Sequence, residues 1–244
     1  MYLFTSGFIF WGDFMNNNTK KLSAQDRDFM VKRIVLLGVI AALSYVATYL
    51  TSPVKFFNFL SCDIKDAIIA IASFIFDPLS GLLVTVVVSL LETFTYSQTG
   101  FIGCIMNIIS TASFVLPAAI IYKKKRTINS AVFGLILGSL FMTAIMLLWN
   151  YLATPLYMGV PRQVVVSMLP TVFLPFNLLK GLLNSALTLL LYKTIVKTLR
   201  KARLIPQGEN TASVNKGTKT ALLVISAFVL VGSALLLLIL GGVI

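Results

Sequence analysis

The long apolar stretches of this sequence carry almost no charge, and they constrain its fold more than any other feature. Residues 221–240, for example, contain no charged side chain and are long enough to cross a bilayer. Lipid offers the backbone no hydrogen bonds, so only helices and closed barrels can span it. The stretches are continuous rather than alternating, which favours helices over barrel strands. We therefore predict an all-α membrane protein.

The overall composition agrees with this prediction. The chain has 244 residues, of which 58% are hydrophobic and 11% are charged. Soluble domains average about 25% charged residues. The net charge of +12 would suggest nucleic-acid binding in a soluble protein. In a membrane protein, the distribution of the basic residues between the two sides of the membrane explains this charge better. We therefore expect the chain to lie in a lipid bilayer and not to bind nucleic acid.

Turn residues and charges divide the apolar sequence into seven predicted spans, of which six form one group and the seventh is appended at the C-terminus. The six spans are predicted at approximately residues 30–50, 63–76, 82–96, 104–122, 128–151 and 175–196. We expect these spans to form a six-helix membrane domain at residues 30–200, after a cytoplasmic segment at residues 1–29. Residues 201–219 are predicted to be a polar cytoplasmic linker, and residues 220–244 an appended C-terminal transmembrane helix. Residues 154–169, with two prolines and a glycine, are predicted to be a loop.

Lysines and arginines indicate how the chain is oriented. Most of them lie in the N-terminal segment, at residues 123–126, or around the predicted linker. Because an even number of spans separates these clusters, all three are expected on one side, which the positive-inside rule assigns to the cytoplasm. We therefore predict a multi-pass protein of the cell membrane with a cytoplasmic N-terminus.

Several kinds of chemistry are excluded or disfavoured by the sequence. It contains no histidine, which removes histidine-based acid–base catalysis, Ser-His and Cys-His nucleophiles, and histidine metal sites. It also lacks the G-x-x-x-x-G-K-[ST] phosphate loop of many ATPases. We expect neither enzymatic activity nor a resident cofactor or metal. Cys62 and Cys104 are both placed near the outer face, where they form either a disulfide or two small apolar side chains.

Polar and charged side chains gather at one level of the predicted spans. Asp63, Lys65 and Asp66 open the second span, although a charge at mid-bilayer costs about 2.5–3.5 kcal/mol. In the predicted topology five further polar residues fall in the outer halves of their spans: Glu92, Asn107, Asn150, Asn177 and Lys180. Since buried polar groups need partners, this asymmetry predicts a shared cavity open to the outside. Neighbouring aromatic residues suit a planar or amphipathic neutral solute.

Each of these residues also has a simpler interpretation on its own. Asp63 or Asp66 could cap a helix near water, and Glu92 could form a structural ion pair with Lys180. Asn150 could be an interfacial residue. The prediction of a cavity therefore depends on the cluster rather than on any one member.

Two pairs of small residues, each four apart, indicate close helix packing. Gly38 and Ala42 lie in the first span, and Gly134 and Gly138 lie in the fifth. Small-xxx-small patterns let the backbones of two membrane helices approach each other. For Gly38 and Ala42 the partner is either another helix of this chain or another protein.

Several stretches together resemble the substrate-binding S components of energy-coupling factor (ECF) vitamin transporters, and among these the riboflavin-specific type. The stretches lie at residues 63–66 and 77–81, 99–103 with 106–107, 114–118, 149–151 with 155–157, and 175–181. The resemblance covers roughly residues 30–200. It implies a six-helix bundle that binds a vitamin at its outer face, with residues 51–62 as a lid. The family segment Asp-x-Ser-Asp-Ile-Pro differs here, because Lys65 replaces the serine and the proline is missing.

The resemblance also implies partners: a membrane T component and two cytoplasmic ATPases, which would drive uptake. The family docks to its T component through an Ala-x-x-x-Ala motif, for which Gly38 and Ala42 are the nearest match. The expected substrate-binding residues are Phe59, Asp66, Glu92, Thr99, Gly100, Asn107, Asn150, Asn177 and Lys180.

Within that set, we expect the three asparagines and Lys180 to hold the polar edges of riboflavin. Glu92 is expected to pair with Lys180 or a ribityl hydroxyl, and Phe59 to cover the ligand. Flavin mononucleotide is an alternative ligand, because Lys180 could face its phosphate. The alternatives are an S component for another vitamin, an ion-coupled secondary transporter with Glu92 as its titrating group, and, least favoured, an intramembrane enzyme.

Overall fold

The computed structural model describes residues 24–52, 55–56, 60–61, 63–97, 99–201, 227 and 231–232. Within these residues the chain is almost entirely helical, as predicted. The helices are α1 (Ala24–Thr51), α2 (Lys65–Ile75), α3 (Pro78–Thr95), α4 (Gly100–Lys125), α5 (Ile128–Met158), α6 (Arg162–Met168) and α7 (Leu174–Lys201). The π-helical turn Leu169–Phe173 joins α6 to α7 without a break, so the described part of the chain contains six helical rods. Residues 1–23 of the predicted N-terminal segment, residues 202–219 of the predicted linker and nearly all of the appended helix lie outside the described residues, whereas residues 24–29 form the start of α1.

Five helical stretches of the described residues are long and apolar enough to cross a membrane. They are Met30–Thr51, Pro78–Thr95, Gly100–Lys125, Ile128–Met158 and Arg162–Leu199. The second predicted span differs, because α2 has only 11 residues. At 1.5 Å per residue it is about 16 Å long, roughly half of the hydrocarbon core. Most of its side chains are buried, and α1, α3, α4 and α7 all contact it. It is an internal helix rather than a full span.

The predicted loop at residues 154–169 is mostly helical, so that prediction is wrong. α5 continues through Pro155 to Met158 and ends at Gly159, whose φ of 64° is the left-handed conformation typical of a glycine C-cap. α6 then begins at Arg162. Proline is tolerated in membrane helices because neighbouring groups can compensate for its missing N–H.

A two-stranded hairpin follows α1. β1 (Lys55–Phe56) pairs antiparallel with β2 (Leu60–Ser61). Leu60 packs against Phe176 and Leu183 of α7. The loop predicted to be a lid therefore contains a hairpin held against the bundle, and we call this end of the bundle the hairpin end.

The opposite end brings together the start of α1, the end of α2 and the ends of α4 and α7. The Arg33 guanidinium pairs with Asp77, which also accepts a hydrogen bond from Ser80 N at 2.8 Å and so caps α3. Phe74 stacks on Tyr122 with ring centroids 4.4 Å apart. The Tyr122 and Tyr192 hydroxyls are 2.6 Å apart. Lys123–Lys125 follow directly, so we call this the basic end.

Helices α4 and α5 approach each other backbone to backbone, as the Gly134 and Gly138 pair predicts. A Cβ atom on Gly134 would lie 2.8 Å from the Ala118 carbonyl oxygen, and one on Gly138 would lie even closer to the Phe114 carbonyl oxygen. Gly38, by contrast, has open space around it. Both Gly38 and Ala42 are exposed on the surface of α1.

Candidate solute-binding site

Five charged side chains lie buried together towards the hairpin end, and we call them the buried charge network. They are Asp63, Lys65, Asp66, Glu92 and Lys180, each no more than 6% exposed. Three come from the start of α2, one from the last turn of α3 and one from α7. The sequence predicted that such groups would share one level, and the structure brings these five together as two ion-paired groups, Lys65 with Glu92 and Lys180 with Asp63 and Asp66.

Lys65 and Glu92 form the central ion pair. Lys65 Nζ lies 2.6 Å from Oε1 and 2.5 Å from Oε2 of Glu92. Asn107 Nδ2 on α4 donates a third hydrogen bond to Glu92 Oε2 at 2.8 Å. The predicted pairing of Glu92 with Lys180 is therefore wrong. Because α2 and α3 are joined by a tight turn at Asp77, Lys65 and Glu92 lie at similar distances from that turn and meet side by side.

Lys180 instead lies between the carboxylate of Asp63, just before α2, and that of Asp66, in the first turn of α2. Its Nζ is 3.3 Å from Asp63 Oδ2 and 3.5 Å from Asp66 Oδ2. Thr111 of α4 donates to the other Asp66 oxygen, Oδ1, at 2.6 Å. The positive end of the α2 dipole also favours carboxylates at this position. Asp66 is thus held by α4 and α7 together.

Asn184 is a member of this site that the sequence analysis missed. Its Oδ1 accepts a hydrogen bond from Ala67 N at 3.0 Å, and its Nδ2 donates to the Asp63 carbonyl oxygen at 3.0 Å. The side chain therefore caps the N-terminus of α2 from α7. The signal was present in the sequence, because Asn177, Lys180 and Asn184 follow the i, i+3, i+7 spacing of one helix face.

The other predicted site residues have separate positions. Asn150 and Asn177 are buried, but their Nδ2 atoms donate to the carbonyl oxygens of Met146 and Phe173 in their own helical turns. Thr99 and Gly100 are exposed at the start of α4, apart from the buried charge network. Phe59 lies outside the described residues. The roles of these residues in binding stay predictions.

The depth of the site follows from helix lengths. The distance along the helix axis from Arg33 to the end of α1 is about 27 Å. The corresponding distance from Asp77 back to Lys65 along α2 is about 18 Å. The buried charge network therefore lies about 9 Å below the end of α1 at the hairpin end, within the thickness of the bundle.

The side chains of the site are suited to hydrogen bonding. Among the described residues no group of three Asp, Glu or Cys side chains could hold a metal ion. The carboxylates, ammonium groups and amides offer both acceptors and donors, as recognition of an uncharged polar solute requires. Cys104 is a buried free thiol, which agrees with its interpretation as a small apolar side chain; Cys62 lies outside the described residues.

Comparisons with known proteins agree with this architecture. Residues 32–192 match the family model described as ECF transporter, substrate-specific component. The chain is 30% identical over 192 residues to riboflavin transporter RibU of Staphylococcus aureus (strain TCH60), covering 76% of this chain and 99% of the relative. It is 28% identical over 172 residues to riboflavin transporter FmnP of Bacillus subtilis (strain 168), covering 66% and 90%.

A solved structure shows the same fold. It is described as "Structure and mechanism of the S component of a bacterial ECF transporter", and it matches with a TM-score of 0.60 at 29% identity. The match covers 70% of this chain and 99% of that one. The helical order, the buried polar site and the family match lead to one conclusion: this multi-pass membrane chain belongs to the substrate-specific components of ECF transporters.

Proposed function

We propose that this chain captures riboflavin at the hairpin end of the bundle as the S subunit of an ECF vitamin transporter. The relatives described above are named riboflavin transporters, and the chain covers 90% or more of their length. Riboflavin is uncharged, and it combines a planar ring bearing carbonyl groups with a chain of hydroxyl groups. A site for it needs donors and acceptors in a water-poor setting.

The observation that carries this proposal is the buried charge network beneath the hairpin. Five buried charges on three helices are costly to keep in a membrane protein unless they serve a function. Asn107, Asn150, Asn177 and Lys180 would hold the polar edges of the vitamin. Glu92 would keep its bond to Asn107 and so orient that amide towards the ligand. The hairpin, with Phe59, would cover it.

The energy for uptake would come from partner subunits. A membrane T component and two cytoplasmic ATPases are the partners that the family resemblance implies. Gly38 and Ala42 would provide the contact surface for the T component, since both are exposed on α1 and a Cβ atom added to Gly38 would meet no other atom within 4 Å. In this arrangement the basic end and the N-terminus face the cytoplasm of the cell.

A flavin titration of the purified full-length chain tests the proposal. Asn107→Ala removes a donor beside Glu92 and should weaken riboflavin binding by about 1–3 kcal/mol, or roughly 5–150-fold. Asn129→Ala, at an exposed position near the start of α5, is the matched control and should bind as the wild type does. Wild-type affinity of the Asn107 variant would refute this pocket. The absence of flavin binding by the wild type would refute the proposal as a whole.

Flavin mononucleotide is the second ligand that we propose. Lys180 already lies between Asp63 and Asp66, so a phosphate group would have to compete with two carboxylates. We therefore expect riboflavin to bind more tightly, and Lys180→Gln to change the affinity for the mononucleotide more than that for riboflavin. Equal changes for both ligands would show that Lys180 does not contact the phosphate. Uptake into vesicles without ATPase partners would instead identify an ion-coupled transporter.

A further inference from the structure

A hollow lies on the side of the bundle that faces lipid, away from the buried charge network. Its volume is about 510 Å³, and it runs between α4 and α5. The side chains around it are almost all apolar and include Ala112, Leu116, Pro117, Ile120, Leu137 and Phe141. Ile120, Leu137 and Phe141 are exposed, so the hollow opens towards the surrounding lipid.

The shape of this groove follows from the packing of the two helices. Gly134 and Gly138 bring the α5 backbone onto α4, and the larger side chains on either side stand up as walls. Ala112 and Ser113 are small, which leaves space along α4. Pro117 has no N–H to bond the Ser113 carbonyl group four residues before it. The groove is therefore a consequence of the close helix contact.

The length of the groove corresponds to one leaflet of a bilayer. Its α4 residues run from Ile109 to Ile121, and 12 steps of 1.5 Å give about 18 Å. Half of a hydrocarbon core of about 30 Å is roughly 15 Å. An acyl chain lying along α4 would thus fill the groove from the middle of the membrane to its surface.

Three lysines stand at the basic end of this groove. Lys124 follows Ile120 by four residues and Ile121 by three, so it continues the same helix face, and Lys123 and Lys125 flank it. All three are exposed. Within the described residues no carboxylate lies at ion-pair distance from them, whereas Lys32, Lys65 and Lys180 each have one.

We propose that the groove and the three lysines form a binding site for one phospholipid with an anionic headgroup. An acyl chain lies between α4 and α5, and the negatively charged phosphate of the headgroup lies at Lys124 with Lys123 and Lys125. Clusters of basic residues directly outside a membrane helix attract anionic lipids. The added observation here is an apolar groove of leaflet length that ends at those charges. This site is independent of the vitamin site and of the orientation of the chain.

Native mass spectrometry of the purified full-length chain tests this site. Phosphatidylglycerol and phosphatidylcholine with identical acyl chains are added at equal concentration, and the bound lipid is counted. We expect one phosphatidylglycerol to be retained in preference to phosphatidylcholine. The variant K123Q/K124Q/K125Q should lower that preference roughly 100-fold, because each lysine near the surface contributes to the attraction. The control K32Q/K197Q/K201Q removes the same charge from other exposed positions at the basic end and should retain the preference.

A second pair of variants tests the groove itself. Ala112→Trp fills it and should abolish retention of phosphatidylglycerol, whereas Ala144→Trp, at an exposed position on α5 outside the groove, should not. Circular dichroism and a single elution peak confirm that each variant is folded. Equal retention of the two lipids, or full retention by either the lysine variant or Ala112→Trp, would overturn the proposal. Exclusion of both lipids from the wild type would also overturn it and would indicate a protein segment in the groove.

Discussion

The two ends of α2 show two ways of placing polar groups inside a membrane bundle. At the hairpin end, Lys65 and Asp66 belong to a network of charges that are almost fully buried. At the basic end, Phe74 stacks on Tyr122, and the Arg33–Asp77 pair is partly exposed, with 21% and 9% of the two side chains accessible. One helix of 11 residues thus has a buried cluster of charges at one end and a stack of aromatic rings at the other.

The difference in burial indicates which end of the bundle keeps charged groups for a reason other than stability. A buried ion pair is weak evidence of stabilisation, because the cost of removing two charges from water can exceed their attraction. The basic end closes the bundle at lower cost with stacked rings and an ion pair near water. We infer that the charges at the hairpin end are kept for recognition, and that the basic end is structural. Three substitutions can break or sharpen this comparison.

Lys65→Met should have the largest effect. It leaves the Glu92 carboxylate buried without its cation and should lower the free energy of unfolding by about 3–5 kcal/mol, measured by denaturant titration in mixed micelles. It should also weaken riboflavin binding. The double variant Lys65→Met/Glu92→Gln should recover most of the stability, because the unpaired charge is gone.

The control for this prediction is Lys32→Met. Lys32 forms an exposed ion pair with Asp28 on one face of α1, and losing it should cost no more than about 1 kcal/mol. If the two lysine substitutions were equally mild, the buried charge network would not be energetically distinct from the surface.

Arg33→Met should have an intermediate effect. The Arg33 guanidinium bonds Asp77 and, at 2.6 Å, the Ser80 hydroxyl, and it lies over the Phe76 ring. Because the pair is partly exposed, we expect a loss of about 2 kcal/mol, between the surface and buried limits. Riboflavin affinity, measured by titration, should not change. A large loss of affinity would show that the basic end is coupled to the site. Arg27→Met, on the exposed first turn of α1, should be neutral.

Tyr192→Phe should have the smallest effect. It removes the hydroxyl that lies 2.6 Å from that of Tyr122 but keeps the ring contacts with Phe74 and Tyr122. We expect a loss of about 1 kcal/mol in a thermal or denaturant unfolding experiment, since one hydrogen bond of a buried tyrosine is lost. Tyr49→Phe, at an exposed position, provides the baseline. A cost as large as that of Lys65→Met would contradict the proposed difference between the ends.

Within the described residues, the order of the helical rods could be predicted from the sequence because the lengths of the apolar stretches and the charges between them determine it. The gathering of Asp63, Asp66, Glu92 and Lys180 at one level followed from the same topology. A close helix contact at Gly134 and Gly138 was also predictable, since two small residues four apart indicate such a contact even when the partner helix is not known.

The pairing within the site could not be predicted in the same way. The depth of a residue along the membrane normal does not show which helices are neighbours. For this reason Glu92 was predicted to pair with Lys180, whereas the structure places Lys65 of α2 beside Glu92. Asn184 was missed because it looks like one more polar residue in a long helix, and its role depends on the start of α2 lying against α7. The groove between α4 and α5 likewise depends on side-chain volumes across two helices.

The position of α2 below the rim of the bundle has a consequence for how any solute is received. A molecule that reaches Lys65 and Asp66 has left bulk water behind, and dissolved ions cannot follow it closely. Screening by salt acts on exposed charges and much less on buried ones. Capture at this depth should therefore vary little between dilute and concentrated saline, so that the subunit would work equally well in environments of very different ionic strength.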